Sequence, residues 1–183
     1  AEGRRPLILN VGRMYPQKAQ AVLIEAFARV AGQHREWRLA FAGSGPLRES
    51  LETLAENLGV VQRIEFLGTI EDLGPYYHGA SIFALPSHFE GMPNALLEAM
   101  HAGAAVIVSD ASPGPLEVVL DGESGLVFAV DDVGKLAEAL DRLMTDEALR
   151  DRLSSAAIEQ THEFELETVP PVWDDALGLP PPA

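Results

Sequence analysis

The 183-residue chain contains no cysteine. Disulfide scaffolds, iron–sulfur clusters, thiol catalysis and cysteine-ligated zinc therefore lie outside what its own side chains can supply. Basic residues are scarce, with 13 Lys and Arg against 28 Asp and Glu, a formal net charge of −15. That balance argues against a nucleic-acid partner, whose phosphates an acidic surface repels. No apolar run approaches the roughly 20 residues that cross a bilayer, so no membrane span is expected. The opening residues do not read as a signal peptide. The first residue is Ala1 rather than Met, which reads as an excised or processed segment, with a trimmed leader as the alternative.

Hydrophobic residues make up 47% of the chain, an ordinary globular share. The length fits one domain over residues 1–183 with a core at about 7–160 and an irregular or helical tail over 161–183, where Pro170-Pro171 and Pro180-Pro181-Pro182 fall. The charge is uneven. Residues 1–48 hold eight Lys and Arg against three Asp and Glu, and all the remaining acidic excess lies beyond them. Such asymmetry is either a binding signal or a matter of solvated helix faces.

Short apolar runs at 7–11, 37–42, 64–67, 82–85, 104–109 and 126–128 read as buried strands. Between them, helical spacing recurs at 21–31, 46–58, 71–77, 93–102 and 116–120, and two further helices follow at 133–144 and 147–160. Strands apolar on both faces, alternating with helices, define an α/β fold: a doubly wound, Rossmann-like parallel sheet of about six strands covered on both sides. In such sheets ligands bind at the carboxyl ends of the strands, which selects the loops at 12–18, 43–46, 68–71, 86–93, 109–115 and 121–124.

Gly12-Arg13 with Lys18 five residues on places a guanidinium and an ammonium at a helix mouth, which suits a pyrophosphate. Two solvated loop cations are the alternative. Gly43-Ser44-Gly45-Pro46 admits close backbone approach to a ligand or is a plain tight turn. It is not a dinucleotide fingerprint, because it follows the second strand and Arg48 stands at the third glycine position. The segment from Pro86 to Met100 is the richest. Pro93 suits a first helical turn, which leaves Glu90 in the loop and puts Glu98 about one turn into the helix. The helix amides would receive an anion, and carboxylates beside them make sense if they bind ribose and hexose hydroxyls. A dipole partner plus a surface residue, or a glycosidase pair, are the other readings. His88-Phe89-Glu90 matches a zinc-deaminase pattern only superficially, since cysteine ligands are lacking. His34, His78, His101 and His162 show no paired ligand spacing, and Asp131-Asp132 reads as the opening of the next helix.

Taken together, these loops resemble the carboxyl-terminal donor domain of the family 4 retaining glycosyltransferases, which have the two-domain GT-B architecture. The resemblance rests on Val11-Gly12-Arg13 through Lys18, Phe41 to Leu47, Phe66-Leu67-Gly68, Leu85-Pro86-Ser87, Glu90-Gly91 with Glu98-Ala99-Met100, 103–110 and 122–125, in that order. It implies a nucleotide diphosphate sugar, UDP- or GDP-linked, as donor for retaining hexosyl transfer. Gly12, Arg13 and Lys18 would meet the diphosphate, Glu98 the ribose, and Glu90 with the amides of Gly91, Met92 and Asn94 the transferred sugar. Gly43, Gly45, Arg63, Ile64, Phe66 and Gly68 would form the nucleotide pocket, largely through backbone. The resemblance further implies no cofactor and no required metal, and an acceptor-binding amino-terminal domain as partner, without which the isolated domain would transfer little. The expected location is cytoplasmic, with peripheral membrane association through that other domain left open. A non-catalytic nucleotide or sugar-phosphate module of the same fold is the alternative. Two departures stand out: Ala19 follows Lys18 where the family usually has Gly, and 112–117 matches the family's Gly-Gly-x-x-Glu segment imperfectly, which leaves the role of Glu117 doubtful.

Overall fold

A computed structural model describes residues 3–162, apart from the side chains of Ser112 and Pro113. Of the expected tail over 161–183, Thr161 ends the last helix and residues 163–183 lie outside the described residues. Six parallel strands form one sheet: β1 (Arg5–Val11), β2 (Arg38–Ala42), β3 (Ile64–Gly68), β4 (Ala80–Leu85), β6 (Ala105–Ser109) and β8 (Leu126–Phe128), in the spatial order β3-β2-β1-β4-β6-β8. Seven helices alternate with them: α1 (Gln20–Val30), α2 (Arg48–Asn57), α3 (Gly74–Gly79), α4 (Asn94–His101), α5 (Gly114–Val118), α6 (Val133–Thr145) and α7 (Glu147–Thr161). This is the expected doubly wound class. A parallel pair of two-residue strands, β5 (Phe89–Glu90) and β7 (Ser112–Pro113), lies apart from the sheet.

Side-chain alternation along each strand divides the core in two. Ile8, Ile82, Ala84 and Ile107 face the layer of α1, α2 and α6, with Phe27, Leu51 and Leu140 among their partners. Leu7, Leu9, Phe83 and Val106 face α3, α4 and α5, where Tyr77, Leu96, Met100 and Val118 pack. All five residues of β6 are buried, as a central strand covered on both faces requires.

Most helix boundaries fall within two residues of the sequence reading, and the differences have local causes. The third helix begins at Gly74, because Pro75 fits only its first turn and Asp72 accepts from Gly74 N at 2.9 Å to form the preceding turn. The last two helices open on side-chain caps. Asp132 accepts from Lys135 N at 2.8 Å and Asp146 from Leu149 N at 2.9 Å.

The strand order reverses direction between β1 and β4. The chain winds outward from β1 through β2 to β3, then returns to β4 and continues through β6 to β8. At such a switch point the two loops leaving the carboxyl ends diverge and open a crevice. The loop after β1 carries Gly12 to Lys18, and the loop after β4 carries Pro86 to Pro93.

Candidate functional site

These two loops meet. The ammonium of Lys18 lies 2.6 Å from Oε1 of Glu90, joining residues 72 apart in sequence. Only 8% of the Glu90 side chain is exposed, and Ser87 Oγ donates to the same Oε1 at 2.6 Å. One backbone and one side-chain contact tie the loops together: His88 N donates to Gln17 O at 2.8 Å, and Gln17 Nε2 donates to Phe89 O at 2.8 Å. Burying a carboxylate is costly unless it is paired and hydrogen-bonded, and both conditions hold here.

The chain direction at Lys18 depends on an unusual residue. Pro16–Lys18 make one 3-10 turn, and Ala19 then takes left-handed angles, φ 47° and ψ 36°, before α1 begins. That region costs a residue with a Cβ about 1–2 kcal/mol relative to glycine. Ala19 therefore adopts the conformation that the family's usual glycine would take freely. Arg13 is exposed, with its guanidinium 5.2 Å from the centre of the Tyr15 ring.

Beneath this surface lies a polar layer. Asn10, Gln20, Ser87, Glu90 and Ser109 are all buried, each at or just beyond the carboxyl end of a strand or at the head of α1. Asn10 Nδ2 donates to Ala84 O at 2.8 Å across the β1–β4 switch point, and Gln20 Nε2 donates to Arg13 O at 3.0 Å. The amide oxygens of both are enclosed without a partner among the described residues.

A recess of about 260 Å³ continues the crevice toward β2 and β3, lined by Val11, Gly12, Arg13, Ala42, Gly43, Ser44, Thr69, Ile70 and Leu73. The glycines at 43 and 45 serve the chain itself. A Cβ on Gly43 would lie 2.1 Å from Gly12 O, and one on Gly45 would lie 2.4 Å from Met14 O. Their absence of side chains lets the β2 turn press against the loop after β1, where Met14 N donates to Ser44 O at 2.9 Å.

Some expected site residues are placed elsewhere. Arg63 and Ile64 stand at the amino end of β3, one strand length from Gly68. The Arg63 guanidinium donates to the carbonyls of Ala31, His34 and Trp37 and stacks 5.1 Å from the Phe27 ring centre. It closes the carboxyl end of α1 and does not line the recess. Burial, chiefly, and the neighbouring Arg38 lower its pKa. Phe66 stacks on Phe41 at 5.3 Å between ring centres and carries Arg48 on its outer face; it too is absent from the recess lining. Gly68 precedes the lining residue Thr69, and its carbonyl accepts from Gly43 N at 2.7 Å.

The helix after β4 begins at Asn94, with no side-chain cap. Gly91, Met92 and Asn94 are exposed beside Glu90, but the Asn94 amide is turned onto Met92 O at 3.1 Å. Glu98 is exposed on the flank of α4 that faces α3. Burial, and then the nearby Glu98 carboxylate, push the Tyr77 hydroxyl well above the ordinary tyrosine range. The Glu98 effect is part hydrogen-bonding and part charge, through a contact looser than an ordinary hydrogen bond. His88, set aside in the sequence, pairs with Asp131 at 2.7 Å and joins the 86–93 loop to the turn before α6. Asn10, Gln20 and Leu73 lie outside the loops that the sequence singles out, while Ser87, Ser109, Thr69 and Ile70 lie inside them without an individual role. For Asn10 and Ser109 a signal exists: each is a polar residue near the end of an otherwise apolar strand.

An all-parallel doubly wound sheet, with cations and carboxylates converging where its strand order reverses, is the architecture of the carboxyl-terminal domain of GT-B glycosyltransferases. The family of glycosyl transferases group 1 matches over residues 1–160, and the chain belongs to it. The chain is 36% identical over 182 residues to an exopolysaccharide phosphotransferase of Streptomyces coelicolor, covering 95% of this chain and 19% of that protein. It is 33% identical over 177 residues to the lipopolysaccharide core biosynthesis glycosyltransferase LpsE of Rhizobium meliloti, covering 96% of this chain and 51% of the relative. Among solved structures, Anabaena HepE in complex with UDP and glucose shares the fold with a TM-score of 0.87 at 22% identity, covering 96% of this chain and 48% of the other. The chain thus spans about half the length of LpsE and a fifth of the phosphotransferase. No described helix is long and apolar enough to cross a membrane.

Proposed function

We propose that the carboxyl edge of this sheet binds a nucleotide diphosphate sugar, the donor for retaining transfer of a hexosyl group. The observation that carries the reading is the meeting of Lys18 with Glu90 at the β1–β4 switch point, beside exposed Arg13 and the uncapped start of α4. The nucleotide occupies the recess over β1–β3, with Glu98 on the ribose. Arg13, Lys18 and the backbone at Gly12 take the diphosphate. Glu90 faces the sugar with Gly91 and Met92. The HepE complex, which holds UDP and glucose on the same fold, supports this choice of ligand.

Chemically, the leaving group is a nucleoside diphosphate, and on this reading its developing charge falls beside Arg13 and Lys18. Such preorganised electrostatic stabilisation is usually the largest catalytic term. These cations do the work for which a divalent ion would otherwise serve, so the proposal includes independence from metal. The acceptor is held by a further domain facing this edge, and transfer by the present residues alone is slight.

The test is a thermal-shift panel of UDP-, GDP- and ADP-sugars with and without magnesium. Ligand occupying the folded site raises the melting temperature by mass action. A shift that persists without magnesium and disappears in Arg13→Ala is the expected result. A shift unaffected by Arg13→Ala removes the diphosphate assignment. A shift given equally by bare sugar phosphates favours a non-catalytic sugar-phosphate module.

A further inference from the structure

The carboxylate of Glu90 is held unevenly. Both of its described donors, Lys18 Nζ and Ser87 Oγ, stand 2.6 Å from Oε1, and Oε2 accepts from no described residue. The terminal torsion of a glutamate is broad and nearly two-fold. Loading two donors onto one oxygen removes that freedom and leaves the other oxygen clear of both.

The two donors differ in kind. Lys18 is a flexible point charge, 21% exposed in its side chain and on the surface where the proposal above places a diphosphate. Ser87 is fully buried, and its own position is fixed from below. Its carbonyl accepts from Ser109 Oγ at 2.6 Å, and Ser109, at the end of β6, is itself fully buried. The next residue, His88, is tied by its amide to Gln17 O. A bound diphosphate competes with Glu90 for the Lys18 ammonium, whereas nothing in the crevice competes for the enclosed Ser87 hydroxyl.

We propose that Ser87, itself anchored by Ser109, is a positioning residue that holds Glu90 Oε1 while Lys18 turns to the donor's phosphates, keeping Oε2 aimed at the transferred sugar. The inference rests on the donor reading above. It predicts a specific division of labour. Loss of the Ser87 hydroxyl leaves the nucleotide half of the ligand untouched and weakens only what the sugar adds.

Dissociation constants for UDP, UDP-glucose, UDP-N-acetylglucosamine, GDP and GDP-mannose are measured on the wild-type chain, Ser87→Ala, Glu90→Gln and the double variant. The expected result is UDP or GDP affinity within twofold of wild type in Ser87→Ala. The extra affinity contributed by the sugar falls about tenfold, the scale of one charge-assisted hydrogen bond. The double variant is no weaker than Glu90→Gln alone. Equal losses for nucleotide and nucleotide sugar, or losses that add in the double variant, overturn the positioning role. The same four proteins unfolded in urea without ligand separate this inference from the donor reading. If wild type binds no nucleotide, the donor reading falls, and the cycle decides alone. Less-than-additive stability losses retain the Ser87–Glu90 linkage, and additive losses remove it. Ser109→Ala, expected to give a smaller loss of the same kind, checks that the anchor acts through Ser87.

Discussion

The two edges of this sheet use the same cationic side chains for opposite purposes. At the amino edge, Arg4 donates to the carbonyls of Tyr77, Ala80 and Ala102, and Arg63 donates to those of Ala31, His34 and Trp37. Both answer carbonyls at helix ends and neighbouring turns, groups that a helix leaves unpaired at its carboxyl terminus. Desolvation lowers the pKa of both guanidiniums, with Asp151 opposing the shift at Arg4. At the carboxyl edge, Arg13 lies exposed over Tyr15, and Lys18 meets a carboxylate instead of a helix end. There the parallel strands present helix amino termini, which need no cations. Positive charge placed beside them adds to their field, so it repels the fold slightly and attracts an anion. Arg4 and Arg63 satisfy carbonyls and so serve the fold, whereas on the proposed reading Arg13 and Lys18 serve a ligand.

Substitutions can break this comparison, and four are ordered here by expected size. Gly43→Ala should cost about 3–5 kcal/mol, because its Cβ would overlap Gly12 O and the backbone at φ 137° has no room to yield. Chemical denaturation would measure this, and a cost under 1 kcal/mol would mean that the two loops are not pressed together. Arg63→Ala should lose about 2–4 kcal/mol by stranding several carbonyls, while nucleotide affinity at remaining folded protein stays within twofold. Arg13→Ala should do the reverse. Its stability stays within about 0.5 kcal/mol, as for a surface change, and nucleotide affinity falls about ten- to hundredfold for the loss of a charged phosphate contact. Paired urea melts and calorimetric titrations of the two arginine variants test the contrast directly. The smallest effect is that of Ala19→Gly. Relief of the left-handed strain and the added freedom of the unfolded chain nearly offset each other, for a net change under about 1 kcal/mol. A large loss would show that the Ala19 methyl packs as part of the site.

Much of this was legible in the sequence, and the gaps have physical reasons. The six strands could be read because β1, β4 and β6 are apolar on both faces, which only a covered parallel sheet requires. Gly12, Arg13, Lys18, Glu90 and Glu98 could be placed on one edge because each follows a strand. Arg63 lies five residues before Gly68, close in sequence, yet a strand rising about 3.3 Å per residue carries it to the opposite edge, which no local pattern shows. The Lys18–Glu90 pairing was illegible because it joins loops 72 residues apart through strand order, which local pattern does not encode. Ser87 enters the sequence reading only within Leu85-Pro86-Ser87, and its complete burial and the position of Ser109 beneath it reveal its contact. The net charge of −15 does not describe this edge, where Arg13 and Lys18 stand.

The most direct test of the central claim is a backbone amide chemical-shift map of the chain titrated with UDP and a UDP-sugar. The account predicts perturbations at 12–20, 43–45, 68–70 and 87–98, with Arg4, Arg63 and their surroundings unmoved. Perturbations centred on Arg4 and Arg63, with the residues around Lys18 and Glu90 silent, would contradict it.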